Sequence, residues 1–322
     1  MKALSILFAA VLLALPVTAG TQGYPNKPLR LVVPFAPGGP NDILGRMVGH
    51  KLTEAMKQPV VIDNRGGAGG TVGLEVASRL PGDGYALAMG GSSNMALAPS
   101  LYAKLAYDPV KDFTPIINVA TVSYALAVNP TVPAKNVREL IALARKSPGN
   151  LSYGSSGVGS MSSLAAEMLK SVSKTDIVHV PYKGTAPALT DVVTGQIEMM
   201  LADLAVIKPH ADAGKLRVLG VAGARRSDIA KDVPTLAESG LPGYELTPWF
   251  GVVAPAGVPH DIQGKLNAVI GASLKSADVL ARLGKLGYEP LGGTSEQFAA
   301  TIKPDTVKFA QIVKRAGIKT GQ

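Results

Sequence analysis

Four stretches rich in glycine and small polar residues hold most of the chemistry this sequence offers. They are Pro34-Phe35-Ala36-Pro37-Gly38-Gly39-Pro40-Asn41-Asp42, Asn64-Arg65-Gly66-Gly67-Ala68-Gly69-Gly70, Gly90-Gly91-Ser92-Ser93-Asn94, and Tyr153-Gly154-Ser155-Ser156-Gly157-Val158-Gly159-Ser160. Each follows a short apolar run, and three lead straight into helical patterns. Glycines there let backbone N–H groups turn inward, and a following helix adds the free N–H groups of its first turn, so such a loop can hold an anion. A glycine loop after a strand can also serve tight turning alone. Four of them together favour an anion-binding cleft.

Catalytic and cofactor signatures fail one by one. Gly264-Lys265 and Gly284-Lys285 are each followed by Leu, so no phosphate-binding loop of the G-x-x-x-x-G-K-[ST] type exists. No G-x-G-x-x-G follows a strand with an acidic residue about 20 positions on. Gly154-Ser155-Ser156-Gly157 lacks the G-x-S-x-G spacing of a nucleophile elbow. His50, His179, His210 and His260 fall in no metal-ligand pattern; His179, at a strand end, is the one placed to touch a ligand or to make a structural hydrogen bond. Nothing assembles a nucleophile, a base and an orienting group. No catalytic residue, metal ligand or cofactor is implied.

The elements that position these loops alternate in type. Leu29–Phe35, Val60–Ile62 and Ala86–Met89 are strand-like, and between them Asp42–Met56 and Val72–Leu80 have helical periodicity. Helices follow at Asn136–Lys146, Met161–Ser171, Ala186–Thr194 and Leu204–Ala213, with strands at Leu151–Tyr153, Ile177–Val180, Glu198–Leu201 and Arg217–Ala222. Three helices close the chain at His260–Lys275, Ala277–Leu286 and Ser295–Arg315, the last opened by a capping box between Thr294 and Gln297. Two extended stretches, Phe113–Val128 and Tyr244–Val253, read as crossings between domains. The expected architecture is α/β with two lobes, each a mainly parallel sheet flanked by helices. Residues 24–120 plus 248–322 form a discontinuous first lobe, residues 121–247 an inserted second lobe, and the ligand cleft lies between them.

Composition narrows the class. The 322 residues are 47% apolar and 17% charged, with 36 Gly, 24 Pro and no Cys, which is globular and excludes disulfide scaffolds, thiolate metal sites and cysteine nucleophiles. The net charge of +9 comes from 32 basic and 23 acidic residues; the basic ones are scattered, so nucleic acid is not an expected partner. Residues 1–19 read as a cleavable signal peptide: Lys2, an apolar run from Ala3 to Leu15, Pro16, then the small residues Val17 and Ala19. That run is too short to span a bilayer, which takes about 20 apolar residues. Export to the periplasm is the expected outcome.

Several segments resemble one family in order along the whole chain. Tyr24-Pro25-Asn26-Lys27-Pro28-Leu29-Arg30 leading to Val33–Gly39, Val60–Gly70, Asp83-Gly84-Tyr85, Tyr107-Asp108-Pro109 and Tyr153–Gly157 are similar to the substrate-binding receptors of tripartite tricarboxylate transporters, the Bug receptors. So are His179-Val180-Pro181-Tyr182-Lys183-Gly184 and Trp249-Phe250-Gly251. The resemblance implies a periplasmic-binding-protein fold of type II that acts as a monomer and closes over a small organic carboxylate: a di- or tricarboxylate, an amino acid or an aromatic acid. It implies delivery to membrane components of the transporter, or presentation to a sensor kinase. The residues it places at the ligand are Phe35, Ala36, Gly38, Gly39, Asn41 and Asp42 from one lobe and Ser155, Ser156, Gly157 and Ser160 from the other. Gly69, Ser92, Asn94, Tyr182, Lys183, Gly184 and Asp203 complete the expected set, with Asp203 either meeting a ligand amine or hydroxyl or capping a helix. An enzyme on the same two-lobed frame is the alternative.

Overall fold

The computed structural model describes residues 23–318. In chain order its strands are β1 (Leu29–Val33), β2 (Val60–Asn64), β3 (Ala86–Gly91), β4 (Phe113–Val122), β5 (Tyr124–Val128), β6 (Ser152–Ser155), β7 (Val178–Pro181), β8 (Met199–Asp203), β9 (Arg217–Val221), β10 (Trp249–Pro255) and β11 (Tyr288–Gly292). The helices are α1 (Pro40–Met56), α2 (Thr71–Ser78), α3 (Ala98–Leu101), α4 (Val137–Lys146), α5 (Met161–Ser173), α6 (Thr185–Thr194), α7 (Leu204–Asp212), α8 (His260–Leu274), α9 (Ala277–Leu286) and α10 (Ser295–Arg315). A 3-10 turn at Ala68–Gly70 and a π-helical turn at Ser92–Leu97 fill two of the glycine loops.

Two sheets organise the chain. A six-stranded sheet in the order β11-β4-β10-β3-β1-β2 builds the first lobe, and a five-stranded sheet in the order β7-β6-β8-β5-β9 builds the second. Helix starts follow local chemistry. Pro40 opens α1, where its missing N–H costs nothing; Asn136 and Ser160 cap α4 and α5 through their side chains; Thr294 and Gln297 form the expected capping box of α10. The strands that carry the core are almost wholly buried: β3, β5, β8 and β10 have no exposed residue.

Both sheets are mixed rather than mainly parallel. The βα repeats do give parallel pairs: β1 with β2 and β3, and β6 with β7 and β8. The segments that pass between the sheets run the other way. β10 is antiparallel to β3 and β4, β11 to β4, and β5 to β8 and β9. A strand reaching a sheet from the opposite lobe enters at the end where its neighbours leave, which fixes its direction. Phe113–Val128 divides at Ser123 into β4 for one sheet and β5 for the other. Of the second extended stretch only Trp249 onward is strand, and β11, with its Glu-Pro pair in the middle, was not expected from its pattern. The larger hydrophobic cluster runs through these crossings, joining Ile117, Val119 and Val252 of the first lobe to Leu126, Tyr153 and Leu201 of the second.

Candidate functional site

The glycine loops of the two lobes meet. Ala36 N donates to Lys183 O at 3.4 Å. The Ser93 hydroxyl lies 2.7 Å from Gly69 O in its own lobe and 3.0 Å from Gly159 O in the other, and Tyr102 OH lies 3.1 Å from Ala68 O and 3.3 Å from Val158 O. Close approach demands glycine at particular points. Gly69 adopts φ +63°, and a Cβ on it would come within 2.6 Å of the Gly159 carbonyl carbon; one on Gly157, at φ +124°, would come within 2.9 Å of Tyr182 O.

Where the loops meet, they enclose a cavity of about 20 Å³, room for about one water molecule. The first lobe lines it with Phe35, Gly39, Pro40, Asn41, Ser93 and Phe250, and the second with Tyr124, Ser156, Met161 and Thr185. No lining residue is charged. Three helices of ten or more residues begin here: α1 after Gly39, α5 after Ser160 and α6 after Gly184. The starts of α1 and α6 have no side-chain cap. Pro40 has no N–H and Asp42 N donates to Gly39 O at 3.0 Å, so Asn41 N of α1, the first N–H groups of α6 and the positive ends of both dipoles are available to an anion. Asn41 is 5% exposed and its Oδ1 has no hydrogen-bond partner, an unusual condition for a buried polar atom.

The structure separates the expected residues into those that line this cavity and those that brace it. Phe35, Gly39, Asn41 and Ser156 line it. Asp42 braces the first loop: it accepts from Gly38 N (3.0 Å), Arg46 Nε (2.9 Å) and Asn64 Nδ2 (3.1 Å). Burial pushes its carboxyl up, but these three donors together with the Arg46 charge hold it below the usual carboxylate range. Ser155 Oγ sits 2.6 Å from His179 Nε2 and accepts from Gly157 N. Burial pushes the His179 imidazole below its ordinary value, which favours the neutral ring. Ser160 caps α5, and Tyr182 OH donates to Asp191.

Ser92 and Asn94 flank the residue that does line the cavity, Ser93. Ser92 Oγ accepts from Trp249 N at 2.9 Å, and Asn94 Oδ1 accepts from Gly91 N at 2.9 Å, so both hold the π-helical turn in place. Lys183 and Gly184 supply backbone at the lobe contact; the Lys183 side chain is exposed. A Cβ on Gly184 would reach the Ala36 Cβ at 2.8 Å. Asp203 is fully buried outside the lining set and caps α7 through Ala205 N at 3.1 Å, while its other oxygen accepts from Tyr288 OH. Sequence reasoning did not select Pro40, Ser93, Tyr124, Met161, Thr185 or Phe250. Pro40 and Ser93 lie inside the glycine loops and Thr185 directly after Gly184 at a helix start, which are local cues; the others are core-like residues whose exposure to the cleft depends on tertiary placement.

Among the described residues no group of three or more His, Asp or Glu could hold a metal ion, and no helix is long and apolar enough to cross a membrane.

Known proteins share this architecture and sequence. The family model described as "Tripartite tricarboxylate transporter family receptor" matches residues 44–318. The chain is 32% identical over 317 residues to the protein BugT of Bordetella pertussis, covering 98% of this chain and 97% of that one. Among solved structures, Rpa4515 of R. palustris with adipate aligns with 37% identity and a TM-score of 0.90, covering 92% of this chain and 99% of that one. MatC of Rhodopseudomonas palustris with bound malate aligns with 32% identity and a TM-score of 0.87, covering 90% of this chain and 100% of that one. The matched family is one of transporter receptors, so the enzyme alternative falls. The chain belongs to the receptor family of the tripartite tricarboxylate transporters.

Proposed function

We propose that this protein is a periplasmic receptor that closes its two lobes over a small organic carboxylate and presents it to the membrane components of a tripartite tricarboxylate-type transporter. The observation that carries the reading is the convergence of α1, α5 and α6, from both lobes, on one buried uncharged cavity that includes the unpartnered Asn41. Backbone N–H groups and helix dipoles meet the carboxylate charge there, and Asn41 Oδ1 receives a donor from the ligand. A cavity the size of one water does not admit malate or adipate. The lobes therefore part to load and close on the ligand, bending at the paired crossings around Ser123 and Pro248, where Val122 N donates to Pro248 O. Binding of adipate and malate by the two relatives supports a carboxylate as the ligand class. Export rests on residues 1–19, which lie outside the described residues.

Thermal denaturation with a panel of dicarboxylates, tricarboxylates, amino acids and aromatic acids tests the reading. A true ligand at a hundredfold excess over its Kd stabilises the native state by about 2.7 kcal/mol. Absence of a shift with every member of the panel would overturn it.

The distribution of charge gives a second expected result. Lys183 is exposed and outside the cavity lining, so Lys183→Met should change affinity for the panel's best ligand by less than about threefold. Asn41→Leu should weaken it by about tenfold to a hundredfold, because a buried polar contact to the ligand is lost. Calorimetric titration of the two variants checks this; a dominant loss from Lys183→Met would show that an ion pair, not the amide cradle, holds the carboxylate.

A further inference from the structure

On the face of β10 opposite the interlobe cavity lies a second pocket, of about 540 Å³, between the six-stranded sheet and α10. Consecutive strand residues point to opposite faces: Phe250 lines the cavity between the lobes, and Trp249 lines this pocket. Asn118, in the middle of β4, forms part of its floor. Its cross-strand neighbours are Gly251 of β10 and Gly292 of β11. Paired residues share a face; the Phe298 ring covers Gly251, where a Cβ would collide with its Cζ, and the pit beside the asparagine is open over Gly292, where a Cβ would have nothing within 4 Å. Asn118 is 6% exposed, and its Oδ1 has no hydrogen-bond partner.

The walls are aromatic and the charge is single. Trp249 and Phe298 pack edge to face with centroids 5.4 Å apart. Trp249 Nε1 donates to Asp305 Oδ2 at 2.5 Å, which holds the carboxylate at the pocket with its second oxygen still able to accept. No lysine or arginine lines the pocket, so Asp305 is its only charged group. A buried acceptor without a donor, a carboxylate without a cation and an indole wall together suit a flat or compact cation rich in N–H donors.

We propose that this pocket binds a guanidinium or primary ammonium group, seated between Asn118 Oδ1 and the Asp305 carboxylate against the Trp249 ring. The group could arrive on a small free amine or on an arginine or lysine side chain of a protein that docks on α10, and the chemistry at the pocket is the same for both. The pocket is separate from the carboxylate cavity but shares β10 with it.

Trp249 is the single tryptophan of the chain, so the one indole N–H cross-peak in a spectrum of the full-length 15N-labelled protein reports on this pocket. The probes are agmatine, for a free amine, and a blocked Gly-Arg-Gly peptide, for a protein side chain, each titrated against sodium chloride of equal ionic strength. The expected result is a saturable shift with at least one probe, weakened about tenfold or more by Asp305→Asn, which keeps an acceptor for the indole but removes the charge. Asn118→Leu should abolish the shift and raise the melting temperature, since it removes an unpaired buried polar group. Both variants should retain the thermal stabilisation by carboxylates. A peptide that binds where agmatine does not identifies a docking site, and the reverse identifies a small-molecule site. No saturable shift with either probe, or an equal shift in wild type and both variants, would overturn the proposal.

Discussion

Gly69→Ala should leave both lobes folded and hold them apart, lowering ligand affinity by about a hundredfold or more, equivalent to roughly 2.7 kcal/mol. Two effects combine at this position. Its φ of +63° disfavours any residue with a Cβ by about 1–2 kcal/mol. The added carbon would also lie 2.6 Å from Gly159 C, 2.7 Å from Gly159 O and 2.8 Å from Val158 O, all backbone atoms of the other lobe. Backbone cannot rotate away as a side chain can, so relief comes from separating the lobes. The Ser93 hydroxyl, 3.0 Å from Gly159 O in the closed arrangement, then keeps only its bond to Gly69 O within its own lobe. A receptor whose closed form is depopulated binds more weakly in proportion to the lost fraction. Scattering with saturating ligand should show wild type contracting and the variant failing to contract, while circular dichroism is unchanged. Affinity within about threefold of wild type would show that the loop contact does not limit closure.

Much of this architecture was legible because its signals are local. The capping box at Thr294 and Gln297, the glycine loops after apolar runs and the helical spacing of α1, α5 and α6 each rest on chemistry a few residues long. Strand direction was not legible. β10 carries the same apolar character whether it runs parallel or antiparallel to β3, and only its arrival from the second lobe settles the matter. β11 was missed because Glu289-Pro290 breaks the usual strand pattern; it is an edge strand beside β4, where a residue without a backbone N–H is tolerated. At the cavity, the loops singled out in the sequence do meet in the structure, but lining and bracing residues could not be told apart from sequence. Ser92, Ser93 and Asn94 differ only in which way a π-helical turn aims them, and one of the three faces the cavity. Phe250 and Tyr124 read as ordinary core because their exposure to the cleft exists only once two lobes are opposed.

The junction between the lobes should make stability depend on pH through Asp203. This carboxyl stands at the end of β8, fully buried, with one oxygen bonded to Ala205 N and the other to the hydroxyl of Tyr288 on β11, so it ties the second sheet to the first. Burial raises its pKa to about 7, against the smaller opposing pull of those two donors. Tyr288 and Tyr124 are the titratable groups that act on its charge. An unfolded aspartate titrates near about 3.9, so between about pH 4 and 7 the folded chain binds a proton that the unfolded chain has released. Stability from this group is therefore complete below about pH 4 and is lost as pH rises through 7, by a few kcal/mol in order of magnitude. Tyr288→Phe removes a bond that favours the charged form, so the loss should shift to higher pH. The phenylalanine variant should also be less stable overall by about 1–3 kcal/mol above that point, where it leaves a buried carboxylate oxygen without its donor. Denaturant midpoints from pH 5 to pH 8.5 measure both effects, with Asp203→Asn as the reference that cannot titrate. If wild type and Asp203→Asn lose stability in parallel over that range, the junction carboxyl is not the group responsible.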